Sequence, residues 1–262
     1  MICEVHRRSI IRNGILGDLT IGEFSLIRPY LQPVLLTERA VLHESKKRIE
    51  YVFFIEAGMV SLRTLATEGV LETALVGRYG AVGASVALGA KTSMHQSIVL
   101  VSGSAFRIPS DDLCRLMCEG SQIRETLLQY IDALMIHGSQ TALCGVRHNL
   151  EQRIACWLCV ACDALDGNVF PMTHEHLSVI LGLPRAGLTQ ALIRFEKQGL
   201  IRKTRGVLEV CDRKLLQQRA CCCYGVIAKS YHRPKATPAG GGLTGEISWI
   251  VPVSKSEPFL ER

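Results

Sequence analysis

Between Leu31 and about Ile108, apolar residues fall in short runs, without helical stripes. Tyr51-Val52-Phe53-Phe54-Ile55, Met59-Val60-Ser61-Leu62-Arg63, Leu71-Glu72-Thr73-Ala74-Leu75-Val76 and Ser97-Ile98-Val99-Leu100-Val101 are rich in β-branched or aromatic side chains. Glycines at 58, 69, 77, 80, 83 and 103 punctuate these runs at positions that suit turns. Short strands at such close spacing predict a small antiparallel barrel or roll. A parallel α/β sheet is disfavoured, because no ten-residue helical pattern separates the runs.

At Ser110-Asp111-Asp112 the period changes. Ser110 can cap a helix, the aspartates suit its positive end, and Leu113, Leu116 and Met117 follow at helical spacing. A longer helix is predicted from about Gln122 to Leu143. Within it Leu127, Ile131, Leu134, Gly138 and Thr141 step by 4, 3, 4 and 3, the spacing of a coiled-coil seam, and predict self-association. Leu128 and Met135 lie on a second, broader face that is available to the roll. Another amphipathic helix runs from Asn149 to Leu165. Beyond about Lys229, Pro234, Pro238 and Gly240-Gly241-Gly242 have the composition of a flexible tail, with Ile247 to Val253 suited to one further strand.

Thr173 to Ile201 carries the strongest local signals. Thr173 caps a helix with Glu175 in its first turn and an apolar stripe of Leu177, Ile180 and Leu181. Gly182 supplies a left-handed stop, Leu183 plugs the turn, and Pro184 is tolerated where the next helix begins. Leu188, Leu192 and Phe195 repeat at four and three, and Gly199 closes the second helix. Two short helices on a tight glycine turn form a helix-turn-helix. Arg185, Ala186, Thr189 and Gln190 fall on the outer face of the second helix, where Arg can read guanine and Gln adenine in the DNA major groove. Arg202-Lys203-Thr204-Arg205-Gly206 leads into Val207-Leu208-Glu209-Val210, a hairpin whose Lys203 and Arg205 suit phosphates: a wing. His174, on the opening turn of the first helix, is placed to touch phosphate as well.

The fold class is therefore α+β: an N-terminal antiparallel, jelly-roll-like β-roll, a long dimerisation helix and a C-terminal winged helix-turn-helix. The predicted boundaries are 13–110 for the roll, 111–145 for the helical connector, 146–228 for the DNA-binding domain and 229–262 for the tail. Charge follows this division. Residues 1–144 hold 14 Lys+Arg and 14 Asp+Glu, whereas 145–235 hold 14 against 7 and carry +7 of a total of +6, the remainder being −1. Only the back half is suited to a polyanion, here double-stranded DNA. The 262 residues are 48% apolar and 6% aromatic, so the core is mainly aliphatic. No export signal is read at His6-Arg7-Arg8 and no membrane span in Ala81–Ala90, so the 11 cysteines point to a reducing cytoplasm.

The whole layout resembles the Crp/Fnr family of bacterial transcription regulators from about Asn13 to Ile227. The resemblance rests on Phe53–Leu62, Val76-Gly77-Arg78-Tyr79-Gly80-Ala81-Val82-Gly83, Glu151–Leu158, Leu177–Ile201 and Cys221-Cys222-Cys223-Tyr224. It is nearest to a branch without an assigned effector. It implies a homodimer on a two-fold symmetric site, RNA polymerase as a partner, and Thr173 on a phosphate. Where the family often has Glu after the first Arg of the reading helix this chain has Ala186, and Gln190 takes a later Arg position, which implies a different operator. Cyclic-nucleotide binders place a Glu and an Arg where Ala81 and Gln96 stand here. The resemblance therefore implies no cyclic nucleotide, and at most an altered pocket at Tyr79, Gly80, Gly83, His95 and Gln96.

Cys156, Cys159 and Cys162 form C-x2-C-x2-C, superficially an iron–sulfur run. At a spacing of three they share one helical face and read as small core residues. Iron–sulfur relatives in the family carry their cysteines near the N-terminus, where this chain has only Cys3. Cys221-Cys222-Cys223, with His232, offers a redox or metal alternative. The expectation is nevertheless no metal, no cofactor and no enzyme activity, since no Gly-x-Ser-x-Gly, phosphate loop or His-Glu-x-x-His is present.

Overall fold

The computed structural model describes residues 11–67 and 69–232. The N-terminal arm with Cys3, and the tail with Ile247–Val253, lie outside them. After the short helices α1 (Gly14–Gly17) and α2 (Ile21–Ile27) come the strands β1 (Gln32–Leu36), β2 (Val41–His43), β3 (Tyr51–Ala66), β4 (Gly69–Val76), β5 (Ala81–Val82) and β6 (Gln96–Pro109). They form one antiparallel sheet in the order β1-β6-β3-β4, with β2 on β6 and β5 on β3, curled into a roll. Phe53, Ile55, Val60, Leu62, Val76 and Val99 fill it.

Two predicted strands, 51–55 and 59–63, are one. Gly58 does not turn the chain but lets β3 run on through a bulge, its φ of +89° lying opposite Gly103 inside β6. A Cβ at Gly103 would stand 2.1 Å from the Ala57 carbonyl oxygen, so both glycines serve a close strand approach.

Two helices follow, α3 (Ser110–Glu119) and α4 (Ser121–Arg147). Ser110 is not the cap of α3. Pro109 holds that position, and the Ser110 hydroxyl donates to the Ile49 carbonyl at 2.6 Å. α4 is 27 residues long, about 40 Å at 1.5 Å per residue. Its expected seam splits. Leu127 and Ile131 are buried with Leu16, Ile27, Phe54, Ile108 and Leu116 against the chain's own roll, and Leu134 packs there in part. Met135, predicted to face the roll, is 66% exposed, and Val146 is 82% exposed. A period of 3.5 residues defines stripes on a helix but not which stripe meets which neighbour.

The remainder is α5 (Leu150–Leu165), β7 (Val169–Phe170), α6 (His174–Leu181), α7 (Arg185–Lys197), β8 (Ile201–Thr204), β9 (Val207–Val210), α8 (Arg213–Arg219) and α9 (Cys222–Tyr231). α5 opens on a reciprocal Asn149/Gln152 capping box, and every residue from Ile154 to Cys162 is buried, the mark of a central helix. α9 packs along α4, where the Tyr231 hydroxyl lies 2.9 Å from His137 Nδ1, so ordered structure runs past the predicted tail start at 229. Burial pushes the His137 imidazole down to about 4. No helix among the described residues is long and apolar enough to cross a membrane.

The roll and the C-terminal part share one core, in which Met59, Leu75 and Leu100 join α5, α6 and α7. At that junction Trp157 Nε1 donates to Glu72 Oε1 at 2.5 Å, and the Ser61 hydroxyl donates to the other carboxylate oxygen. Burial raises the Glu72 carboxyl to about 7, against the opposing pull of these two bonds and of the Arg63 charge. The folded protein thus holds this proton up to about pH 7, while the unfolded chain releases it near the ordinary 4.5. The contribution is complete below the unfolded value and is lost as pH rises through the folded one, by ~3 kcal/mol. Glu72→Gln should remove this titration, so that between pH 4.5 and 7.5 the variant gains on the wild type by about that amount in urea unfolding. A pH-independent difference would contradict the assignment.

Candidate nucleic-acid interface

Local chemistry builds the helix-turn-helix as the sequence implied. Thr173 Oγ1 accepts from the His176 amide at 3.2 Å, and Gly182 ends α6 with a φ of +58°. The Leu183 amide then bonds the Ser178 carbonyl at 2.9 Å, and α7 begins directly after Pro184. Leu177, Ile180, Leu188, Leu192 and Phe195 are buried between the helices. β8 and β9 pair from Ile201↔Val210 to Thr204↔Val207, which leaves Arg205-Gly206 as the tip of the wing, while β7 closes the far side of β9.

Arg185, Ala186 and Gln190 are exposed on the first turns of α7. Thr173, His174, Arg185 and Lys203, from three separate elements, line one cleft of about 390 Å³ between the helix starts and the wing. Thr189 is half-buried, with its hydroxyl 3.2 Å from His174 Nδ1. Burial, together with the Lys203 and Arg185 charges, holds the His174 imidazole below its usual range. Arg205 is exposed at the wing tip. Two acidic residues border this surface, Glu175, read from the sequence only as a first-turn helix acid, and Glu196, which the sequence reading did not single out. Glu175 lies in the same cleft, and Glu196 clamps Lys203 by its Nζ at 3.0 Å and its amide at 3.0 Å. Those Lys203 bonds hold the Glu196 carboxyl below its usual range.

The five residues expected to line an effector pocket do not act together. Tyr79 and Gly80 border a cavity of about 40 Å³ with Tyr130 and Tyr231. That is far below the ~300 Å³ of a small-molecule site. Gly83 faces His43 and Ile49, His95 Nδ1 lies 3.5 Å from the Thr64 hydroxyl, and Gln96 donates to Glu44 at 2.9 Å.

The cysteines also divide. Cys159 and Cys162 pack into the common core, whereas Cys156 turns to Cys144, Cys221 and Cys223. His232 does not join Cys221–Cys223. Its ring lies 5.1 Å from that of Tyr79, and His148 takes the place expected for it, with Nδ1 3.6 Å from Cys223 Sγ. Cys144 and His148 were not singled out from the sequence, although Cys-x3-His at the end of a helix was the available signal.

Residues 152–219 match the model of the Crp-like helix-turn-helix domain. No curated protein matches the chain in sequence. Among solved structures, FixK2 from Bradyrhizobium japonicum superposes with a TM-score of 0.63 at 16% identity, over 73% of this chain and 98% of its own. A Crp/Fnr-family regulator from Eubacterium rectale gives 0.60 at 17%, over 78% and 96%. The c-di-GMP-responsive global regulator CLP of Xanthomonas campestris gives 0.61 at 12%, over 74% and 100%. Residues 152–219 thus carry a Crp-like helix-turn-helix domain, and the roll, long helix and wing around it share the fold of these solved structures.

Proposed function

We propose that the protein acts in the cytoplasm as a homodimer that reads a two-fold symmetric double-stranded DNA site, with RNA polymerase as a further partner. The observation that carries this reading is the single cleft joining Thr173, His174, Arg185 and Lys203 beside the exposed Ala186 and Gln190. Arg185 and Gln190 read bases. Thr173, His174, Lys203 and Arg205 hold phosphates. Ala186 offers only a methyl contact, so the site differs from that of relatives with Glu there. Dimerisation uses the outward stripe of α4, Met135, Ala142 and Val146, with Gly138 open beside it. Two reading helices then fall one helical turn apart, ~34 Å. No cyclic nucleotide acts in the roll, where Ala81 is buried and Gln96 is engaged with Glu44.

Selection from random duplexes, followed by anisotropy across a salt series, tests the reading, and an inverted repeat is the expected product. On that repeat Arg185→Ala should cost about 1–3 kcal/mol and relax base preference, while Lys203→Ala should weaken all sequences alike and lower the salt slope by about 1. Equal losses on specific and random DNA for both variants would refute the division of roles. Met135→Glu with Val146→Glu should give monomers in analytical ultracentrifugation and weaken binding to the full repeat but not to a half-site. His174 titrates below its usual range in the free protein, and an approaching phosphate raises it. Affinity should therefore increase as pH falls from 7 towards 5.5, with proton uptake in calorimetry, and His174→Gln should abolish that uptake.

A further inference from the structure

Four donor side chains converge where α4 ends and the DNA-binding part begins. Cys144 lies in the last turn of α4, His148 is the residue on which α4 stops, and Cys221 and Cys223 bracket the start of α9. Their ligand atoms all lie within 4.8 Å of one another. Cys144 Sγ is 3.4 Å from Cys221 Sγ, and Cys223 Sγ is 3.6 Å from His148 Nδ1. A tetrahedral zinc ion with bonds of ~2.3 Å to sulfur and ~2.0 Å to nitrogen separates its donors by roughly 3.5–3.8 Å. Closing the observed spacing onto one ion needs shifts of about 1 Å or less.

Ordinary packing does not account for this group. A thiol at a helix start gives up the preference for Ser, Thr, Asp or Asn, and Cys221 occupies the N-cap of α9 without accepting any capping bond. Its sulfur faces Cys144 instead. The three thiols are buried, while the half-buried imidazole of His148 closes the solvent side. Cys144 and Cys156 also line a cavity of about 460 Å³ between α4, β4 and α5, which gives an ion a way in. The close spacing suits a single ion, since a cluster core would need its thiolates further apart.

We propose that Cys144, His148, Cys221 and Cys223 form a tetrahedral site for one thiophilic divalent cation of the zinc class. Binding replaces three thiol protons with one ion, which leaves a single negative charge shared over three thiolates and a neutral imidazole. The ion cross-links the end of α4 to the start of α9 beside the helix break at His148-Asn149. The site goes beyond the DNA-binding reading and does not depend on it.

Full-length protein, reduced and stripped with a chelator, is titrated anaerobically with Co²⁺ and then with Zn²⁺. One equivalent of Co²⁺ per chain should give the strong visible bands and thiolate charge transfer of a tetrahedral, sulfur-rich site, and Zn²⁺ should bleach them. His148→Gln and Cys221→Ser should each weaken Zn²⁺ binding roughly 100-fold or more against a chromophoric chelator, since even outer-shell losses cost 10–100-fold. Cys159→Ser, in the core beyond the cluster, should bind as the wild type does. If Cys221→Ser fails to fold, the half-buried His148→Gln variant and the wild-type cobalt spectrum still decide. Weak octahedral cobalt bands, no saturation at one equivalent, or a tetrahedral spectrum that survives His148→Gln unchanged would each overturn the proposal.

Discussion

A carboxyl group taken out of water must find donors or give up its charge, and Glu72 does some of both between two halves of the protein. Its oxygens are held by Ser61 from the same sheet and by Trp157 from α5, and its carboxyl titrates near neutrality. A buried acid of this kind is costly when any partner is missing. The orientation of α5 against β4 is therefore specified by chemistry as well as by shape. Around it Met59, Leu75 and Leu100 extend the core of the DNA-binding part into the roll.

Three further contacts fix the same junction. Arg78 Nη2 pairs with Asp166 at 3.3 Å, just past the end of α5, and Arg63 Nη2 lies 3.1 Å from His176 Nε2 on α6. Leu71 reaches towards Gly182 in the turn between the two helices of the helix-turn-helix. The first of these helices is thus anchored on the β3–β4 hairpin, while the exposed start of the second points away from it. Exposed ion pairs contribute little, so the apolar core and the Glu72 bonds carry most of the specification.

α4 serves two purposes with two faces. One is consumed by the roll and by α9, through Leu127, Ile131 and the His137–Tyr231 pair. The other carries Met135, Ala142 and Val146 into solvent, more apolar surface than a helix with no further partner would present. Its last turn then enters the cysteine and histidine cluster, where the long helix hands over to the C-terminal part.

What the sequence determined by itself was whatever depends on neighbours a few residues apart. The Thr173 cap, the Gly182 stop, Pro184 and the apolar stripes of α6 and α7 specify the helix-turn-helix locally, and the charge imbalance marks which half is suited to a polyanion. The existence of α4 and α5 was legible for the same reason, although α4 runs one turn past the predicted Leu143, to Arg147. Tertiary structure decided what depends on residues far apart. Periodicity marked stripes on α4, but whether Leu127 or Met135 met the roll depended on where the roll lies. Gly58 looked like a turn because its role rests on Gly103, 45 positions away in a neighbouring strand. Ser110 looked like a cap because its acceptor, the Ile49 carbonyl, is equally remote. Glu72 stood unremarked inside a predicted strand, because its partner Trp157 lies 85 positions away. The pairing of Cys144 and His148 with Cys221 and Cys223 spans more than 70 residues, and only packing α9 along α4 brings their sulfur and nitrogen atoms within reach of a single ion.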